Sequence, residues 1–331
     1  MPELRYNVIT REWVIIATER AKRPDQFKRK EAKKALPAHD PKCPFCPGNE
    51  AMTPPATFTI PDPNNWNVRV APNKFSALSR EGERKRTVKG IRRTVTGVGI
   101  HEVIVETRAH NLTTALLTDR DVELVVDTYI DRFKAASSDP RVEQVTIFKN
   151  HGDAAGTSLE HPHSQLIATP IVTSQLRERL SNAQAHYDEF AECIFCRVLQ
   201  MELQDGVRVF LETEHFVAFV PYAAFTPFSF TILPKRHMPC IAELTDAEAA
   251  DLARILRRAL AKLHRGLDDP DFNYVIRTAP LELYGVKYYH WYVSVIPRLT
   301  KMAGFELGSG MFINVALPEE NAAFLRDVKV D

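Results

Sequence analysis

The feature that most constrains the fold is an internal repeat, in which a CxxC pair is followed by two widely spaced histidines. The pairs are Cys43–Cys46 in the first half of the chain and Cys193–Cys196 in the second. In each half, one histidine lies seven residues before a Leu-Thr-Asp triplet, which is a favourable start for a helix. From the leucine of that triplet to the second histidine there are 44 residues in the first half and 46 in the second. Agreement over so long a distance predicts two copies of one α+β unit.

Each copy also has the same predicted order of secondary structure. A strand-like run is followed by a helix with apolar residues at helical spacing, and then by another strand-like run. These segments are 101–106, 122–133 and 142–148 in the first copy, and 228–233, 252–263 and 272–277 in the second. Gly266 is expected to end the second helix, because glycine readily adopts the left-handed conformation of a C-cap. We expect an N-terminal domain of residues 1–175 and a C-terminal domain of residues 176–331.

The repeated cysteines and histidines predict two metal sites. Zinc accepts two thiolates and two imidazoles in a tetrahedral arrangement, and four protein ligands close a structural site. In a cytosolic chain, paired CxxC motifs more often bind metal or do redox work than form structural disulfides. We therefore expect two Zn²⁺ ions per chain, and iron stays open as an alternative metal. The ligands are expected to be Cys43, Cys46, His110 and His161 at the first site, and Cys193, Cys196, His237 and His290 at the second.

The two copies differ at the segment His161-Pro162-His163, for which the second copy has His290-Trp291-Tyr292. Residues i and i+2 of an extended segment point to the same face, so the two histidines of the first copy can share one site. His161 has a counterpart in the repeat and is interpreted as a metal ligand. His163 has none, and we interpret it as a nucleophile that the neighbouring metal ligand holds in place.

A polar, glycine-bearing loop at residues 150–158 precedes this segment, and the second copy lacks it. Backbone N–H groups in such a loop suit a phosphoryl group. An imidazole near pH 7 is substantially neutral and nucleophilic. Attack of His163 at phosphorus would give a covalent nucleotidyl-histidine and divide one transfer into two displacements. The first copy is therefore predicted to be catalytic and the second structural.

Several stretches resemble the galactose-1-phosphate uridylyltransferase family of the histidine-triad superfamily, and the resemblance covers nearly the whole chain. The fold it implies has two histidine-triad-like repeats, each an antiparallel sheet with a packed helix. The stretches are 20–24, 43–48, 73–78, 148–165 and 303–306.

The resemblance implies a ping-pong exchange in which UDP-glucose gives its uridylyl group to His163 and galactose 1-phosphate collects it. Gln165 is implied to hydrogen-bond the phosphoryl oxygens of the intermediate. The other implied contacts to nucleotide or sugar phosphate are Arg20, Arg23, Asn73, Phe75, Asn150, Gly156, Ser158 and Glu306.

Ser164 departs from the HPHGQ motif that is usual in the family. A serine there is similar to a branch that includes ADP-glucose:phosphate adenylyltransferases, so an ADP-glucose phosphorylase that uses phosphate as acceptor is an alternative function. An alternative of another class is a zinc-stabilised nucleotide-binding protein without catalysis. That alternative gives no reason for the unligated His163.

Composition and charge limit the classes of partner that the protein is expected to have. The chain has 331 residues, 44% of them hydrophobic and 26% charged, with a net charge of +1, which is typical of a soluble globular protein. No apolar run approaches the ~18–20 residues of a membrane span and no secretory signal is evident, so we expect a cytoplasmic protein without membrane contact. Two basic stretches, 20–34 and 80–93, are interpreted as substrate contacts and solvated loops rather than a nucleic-acid surface. The family suggests a homodimer. No functional role is expected for His39, His101, His151 and His215.

Overall fold

The structure is a computed structural model that describes residues 1–20, 23–28, 33 and 35–330, without the side chain of Arg20. Its α-helices are α1 Asp119–Ser137, α2 Ser174–Phe190, α3 Ile194–Asp205, α4 Asp246–Leu267, α5 Gly304–Ser309 and α6 Pro318–Asp327. Its strands are β1 Glu3–Asn7, β2 Glu12–Ile16, β3 Phe58–Ile60, β4 Val68–Pro72, β5 Arg86–Lys89, β6 Arg92–Val95, β7 Ile100–Val105, β8 Gln144–His151, β9 His163–Thr169, β10 Val209–Glu212, β11 Phe216–Phe219, β12 Phe230–Pro234, β13 Phe272–Arg277, β14 Tyr292–Pro297 and β15 Phe312–Asn314.

One ten-stranded sheet runs through both halves of the chain, in the order β10-β11-β12-β14-β13-β8-β9-β7-β4-β3. Every neighbouring pair in it is antiparallel. The predicted α+β repeats with antiparallel strands are thus confirmed. The two repeat sheets join through β8 and β13, where Phe148 pairs with Val275.

Helices α1 and α4 cover one face of this sheet and pack against each other. Each begins with a capping box, in which Thr118 is bonded with Asp121 and Thr245 with Glu248, so the Leu-Thr-Asp signal is confirmed as a helix start. Their apolar sides fill the main core with fully buried residues such as Val125 of α1.

Gly266 does not end α4, contrary to the prediction. The helix continues to Leu267, and Asp268 takes the left-handed C-cap conformation with φ 57°. A Cβ on Gly266 would lie 2.9 Å from the Phe324 ring and 3.0 Å from Val328. The glycine is needed for the close approach of the C-terminal segment rather than for a turn.

The other face of the sheet is more open and carries the candidate site. A second sheet, β1-β2-β15, contains strands from both ends of the chain, and β2 and β15 pair in parallel.

The boundary between the predicted domains 1–175 and 176–331 stays a prediction. The basic stretch 80–93 forms an exposed hairpin, β5–β6, rather than a loop. Among the described residues, no helix combines the length and the apolar character needed to cross a bilayer.

Candidate active site and metal centres

The first Cys2His2 group comes together at one end of β9. His161 lies just before this strand, His110 follows β7, and Cys43 and Cys46 lie in a turn closed by a backbone hydrogen bond between them. The four ligand atoms all lie within 4.8 Å of one another. Cys46 Sγ is 3.6 Å from His110 Nδ1 and 3.5 Å from His161 Nδ1. Tetrahedral zinc, with its usual bond lengths, would hold a sulfur and a nitrogen about 3.6 Å apart.

Hydrogen bonds around this group fix its orientation. The Nε2 of His161 donates to the Thr107 carbonyl oxygen at 2.8 Å, which leaves Nδ1 facing the sulfurs. The Asp40 N–H donates to Cys46 Sγ at 3.3 Å. Burial raises the pKa of Cys43 to about 11, so a thiolate at this place needs a cation beside it. The donor set therefore fits a metal ion.

The second Cys2His2 group repeats this arrangement in the second half. Cys196 Sγ is 3.3 Å from His237 Nδ1 and 3.5 Å from His290 Nδ1. Cys193 immediately precedes α3, and the four ligand atoms again lie within 4.8 Å of one another. His237 Nε2 donates to the Val286 carbonyl oxygen at 3.0 Å, as His161 does in the first group. Both predicted ligand sets are thus assembled by the fold, and each is able to hold one metal ion.

His163 is the first residue of β9 and lies beside the first metal group without joining it. Its Nδ1 donates to the His161 carbonyl oxygen at 2.8 Å, so Nε2 carries the lone pair. Burial lowers the pKa of His163, and the charge of nearby Lys149 lowers it further. The ring of Phe45 contacts His163 edge-on, with centroids 5.2 Å apart. The result is a neutral, oriented imidazole with Nε2 available for nucleophilic attack.

Gln165 lies two residues along the same strand and therefore faces the same side as His163. Its Oε1 is 2.9 Å from Nε2 of His101. Nδ1 of His101 accepts the Ala77 N–H at 3.2 Å, so the ring proton is on Nε2 and is donated to Gln165. Nδ2 of Asn73 is 3.0 Å from the same Nε2, and because that ring nitrogen carries the proton, the Asn73 amide does not donate to it. The contact in which the buried His101 orients Gln165 was not anticipated from the sequence.

The glycine-bearing loop is fastened by the second half of the chain. The Ala154 N–H donates to the Asp271 carboxylate at 2.8 Å, and Asn273 Nδ2 donates to Asn150 Oδ1 at 2.8 Å. Gly152 has φ 83°, and a Cβ there would lie 2.1 Å from an Asp271 oxygen. Only glycine fits at this position. Gly156 and Ser158 are exposed at the end of the loop.

Profiles of a known enzyme family match both halves. The galactose-1-phosphate uridyl transferase N-terminal domain matches residues 1–173, and the C-terminal domain of the same enzyme matches residues 177–326. The chain belongs to this family. The resemblance seen in the sequence is thereby confirmed, and with it the prediction of a nucleotidyltransferase.

Two relatives match over the whole chain. The ADP-glucose phosphorylase of Arabidopsis thaliana is 35% identical over 99% of this chain and 93% of its own length. The galactose-1-phosphate uridylyltransferase of Thermotoga maritima is 31% identical over 100% of both chains. Among solved structures, an Arabidopsis thaliana ADP-glucose phosphorylase with bound ADP-glucose superposes with a TM-score of 0.85, at 32% identity and with 100% of both chains covered.

Ser164, the residue that departs from the usual motif of this uridyl transferase family, points to the other face of the sheet. It is buried, and its hydroxyl accepts a hydrogen bond from Tyr129 at 2.8 Å. The Tyr129 oxygen is also 3.1 Å from a carboxylate oxygen of Glu106, so its single proton is shared between Ser164 and Glu106, and Lys149 forms a buried ion pair with Glu106. Ser164 thus belongs to a polar network beneath the strand, while His163 and Gln165 face the open side.

Two residues that the family resemblance implies for substrate binding, Arg23 and Glu306, are not brought beside His163 in this chain. Arg23 is exposed and begins a short 3-10 helix that packs against α4 and α6. Glu306 lies in α5 and lines a cleft over the second half. The side chain of Arg20 lies outside the described part of the chain. Phe75 follows Asn73 and is 85% exposed.

Proposed function

We propose that this protein is a galactose-1-phosphate uridylyltransferase that works through a covalent uridylyl-His163 intermediate. The observation that carries the proposal is the state of His163, which is neutral, buried and hydrogen-bonded through Nδ1, with Nε2 left for attack. The Thermotoga maritima relative of that name is similar over the full length of both chains.

The first displacement transfers the uridylyl group to the protein. Nε2 of His163 attacks the α-phosphorus of UDP-glucose, and a P–N bond forms. The bond from that phosphorus to the bridging oxygen breaks, and glucose 1-phosphate leaves with the oxygen. The ring becomes cationic as the bond forms, so its Nδ1–H bond to the carbonyl oxygen of His161 strengthens in the transition state.

The second displacement is the reverse reaction with another acceptor. A phosphate oxygen of galactose 1-phosphate attacks the same phosphorus, the P–N bond breaks, and its electron pair returns to Nε2. The acceptor is already anionic, so no proton has to be removed from it. The product is UDP-galactose.

Gln165 is proposed to bind the phosphoryl oxygens during both displacements. Because its Oε1 accepts the His101 proton, its NH₂ group is left to donate to an oxygen of the transferring group. The exposed ring of Phe75 and the amides of Asn73 and Asn150 are proposed to bind the nucleotide. Gly156 and Ser158 are proposed to contact the phosphates from the loop.

A second candidate function is ADP-glucose phosphorolysis, in which phosphate is the acceptor and ADP is released. The similarity to the Arabidopsis thaliana ADP-glucose phosphorylase, over 99% of this chain, favours it. The first displacement is then attack of His163 on the α-phosphorus of ADP-glucose. Both functions use the same nucleophile and differ in base and acceptor.

Both Cys2His2 groups are proposed to hold zinc. Two thiolates and two imidazoles are the donors that structural zinc prefers, and four ligands leave no open position for chemistry. When bound, the first ion would supply rigidity to His161 and through it to His163. We also propose a cytoplasmic location, because four of the five cysteines are grouped as metal ligands with histidines rather than paired with each other.

We further propose a homodimer. Glu306 and Arg23 are implied to contact the sugar phosphate, yet within one chain they lie away from the His163 cluster. A second copy could bring such residues to the site.

The test is a labelling experiment followed by an exchange assay. UDP-glucose or ADP-glucose labelled at the α-phosphorus is mixed with the protein, which is then denatured in base, where a phosphoramidate survives. We expect label that is lost in acid and is absent from His163→Ala. Full labelling of that variant would contradict the mechanism, and nucleotide binding without any label would select the non-catalytic alternative. Exchange with galactose 1-phosphate or with phosphate then separates the two candidate functions.

A further inference from the structure

The open face of the sheet carries a second place that corresponds to the His163 site. Gln165, Phe148, Val275 and Ser294 form one cross-strand row over four neighbouring strands. Because β8 and β13 are antiparallel, the halves are related by an approximate twofold axis between Phe148 and Val275. Ser294 is therefore the counterpart of Gln165, three strands or about 14 Å away.

The residues around this second place differ from those around His163 at two positions. On β14, Tyr292 lies two residues before Ser294, just as His163 lies two residues before Gln165 on β9. On β13, Arg277 lies two residues after Val275, just as Asn150 lies two residues after Phe148 on β8. A neutral phenol is a poor nucleophile at neutral pH, whereas a guanidinium group is a strong ligand for oxyanions. The second place therefore lacks the histidine nucleophile and has instead a guanidinium group that can bind an anion.

Arg277 is joined there by Arg179 of α2. Nη1 of Arg277 donates to the side-chain oxygen of Gln175 at 3.1 Å, and Nη1 of Arg179 donates to the carbonyl oxygen of the same residue at 3.0 Å. Nε of Arg179 is buried and has no hydrogen-bond partner. Burial, together with the charge of Arg179, lowers the pKa of Arg277. The two positive groups thus share a neutral acceptor, and the charge of Arg179 disfavours the charged form of Arg277.

Burial lowers the pKa of Arg179, but Tyr292, Tyr289 and the carboxylate of Glu12 outweigh burial and raise it, whereas no carboxylate acts on Arg277 in this way. Within the part of the chain that the structure describes, no ion pair of 4.0 Å or less involves either arginine. Glu202 and Asp205, which also line the cleft, are paired with Arg208. Two half-buried guanidinium groups, of which only Arg179 is attracted by a carboxylate of the described residues, favour the binding of an anion.

The space in front of the arginines is large. Both line a cleft of about 1330 Å³, together with the aromatic rings of Phe195, Phe219 and Tyr292. Behind them is a cavity of about 20 Å³, room for a water, which the unbonded hydroxyl of the fully buried Tyr289 faces. An anion therefore has to bind on the cleft side, where the aromatic walls can take the rest of a ligand.

We propose that Arg179 and Arg277 form a second, non-catalytic site that binds the phosphate group of a phosphate monoester, with its sugar or base in the cleft. A bidentate guanidinium contact suits a phosphate, and two such groups suit its double charge. The cleft is far larger than a phosphate ion, which favours a sugar phosphate or nucleoside monophosphate over free phosphate. With Tyr292 in place of a histidine, the ligand is bound but not transferred.

The test measures binding to the full-length protein by equilibrium dialysis with inorganic phosphate, glucose 1-phosphate and AMP. We expect Arg277→Gln and Arg179→Gln each to weaken one site for the monoesters by about 10- to 100-fold, and Arg277→Lys to weaken it less. The matched control is Arg177→Gln, which removes the same charge from the exposed side of α2. His163→Ala should retain this site, so the result is independent of the proposed catalytic function.

The other possible results distinguish free phosphate from a phosphate ester as the ligand, and they include those that would overturn the proposal. Equal weakening for all three probes would identify free phosphate as sufficient, and weakening for the monoesters alone would identify an ester. Both outcomes support the site. Unchanged binding in Arg277→Gln and Arg179→Gln, or a crystal structure with AMP in which a second copy of the chain fills the cleft, would overturn it.

Discussion

His163 and His161 are joined by a hydrogen bond from Nδ1 of His163 to the main-chain oxygen of His161, over 2.8 Å. The ring of His161 is in turn held between the Thr107 carbonyl oxygen and the sulfur of Cys46. A metal in the first group would therefore fix the peptide that orients the nucleophile. The second group has no such connection, because Tyr292 stands in place of the nucleophile.

This difference predicts unequal effects of removing a ligand from each group. Cys46→Ser and Cys196→Ser should each reduce the metal content from two ions to one and lower the melting temperature. Cys46→Ser should also lower exchange activity by about 10- to 100-fold, while Cys196→Ser retains most of it. The measurements are elemental analysis, thermal unfolding and exchange on the same samples. Equal loss of activity in both variants would show that His163 does not depend on the first metal in particular.

His101 is predicted to act through Gln165. His101→Leu should lower kcat by about 10-fold with little change in KM, because one orienting hydrogen bond is lost. Combining it with Gln165→Ala should cost no more than Gln165→Ala alone. His215→Leu, a histidine in the second half, serves as the control. Additive losses in the double variant would contradict a positioning role.

The loop before the nucleophile should tolerate a side chain at one glycine but not at the other. Gly152→Ala places a Cβ 2.1 Å from the Asp271 carboxylate, whereas Gly156→Ala meets open space. Both positions have positive φ, of 83° and 86°, which costs alanine about 1 kcal/mol. We expect Gly152→Ala to lose considerably more stability in urea unfolding than Gly156→Ala. Equal losses would mean that the loop moves to avoid Asp271.

Ser164→Gly is predicted to leave the preference between uracil and adenine nucleotides unchanged. The side chain lies beneath the strand, against Tyr129, and does not reach the face on which His163 acts. The change should instead lower the free energy of unfolding by about 1–2 kcal/mol, through a lost hydrogen bond and a glycine in a strand. The ratio of uridylyl to adenylyl labelling in variant and wild type is the measurement. A shifted ratio would show that the network acts on the base through the backbone.

The buried ion pair between Glu106 and Lys149 predicts a pH dependence of stability. Burial by itself would raise the pKa of Glu106, but the charge of Lys149 and its hydrogen bond outweigh burial and lower it. The stabilisation is therefore present above the unfolded value of about 4.3 and is lost as the pH falls through the lower folded value.

Removing the lysine should reverse this dependence. Lys149→Met leaves a buried carboxylate unpaired and should cost about 3–5 kcal/mol at pH 7. The deficit should be smaller near pH 4, where Glu106 can take up a proton. Adding Glu106→Gln to the variant should recover part of the stability at pH 7. Urea unfolding at both pH values measures this, and a deficit that does not vary with pH would contradict the account.

Local sequence signals were sufficient where the chemistry is local. The Leu-Thr-Asp caps, the helical spacing of apolar residues and the CxxC pairs all depend on residues close together in the chain. His101 was missed because its partner is Gln165, 64 residues away. The one available signal was its alternation with Val103 and Val105 on a predicted strand, which places the three side chains on one face but does not identify the strand that pairs with them.

The sequence by itself determined the two repeats, the composition of both metal-ligand sets and the difference between His163 and Tyr292, because each is a matter of residue type and spacing. Only the tertiary structure decided that the repeats share one sheet through β8 and β13. It also decided that Ser164 faces the core while Gln165 faces the open side, and that Arg179 and Arg277 meet at Gln175. A strand edge can accept any strand with matching alternation, so its partner is chosen by the packing of the whole molecule.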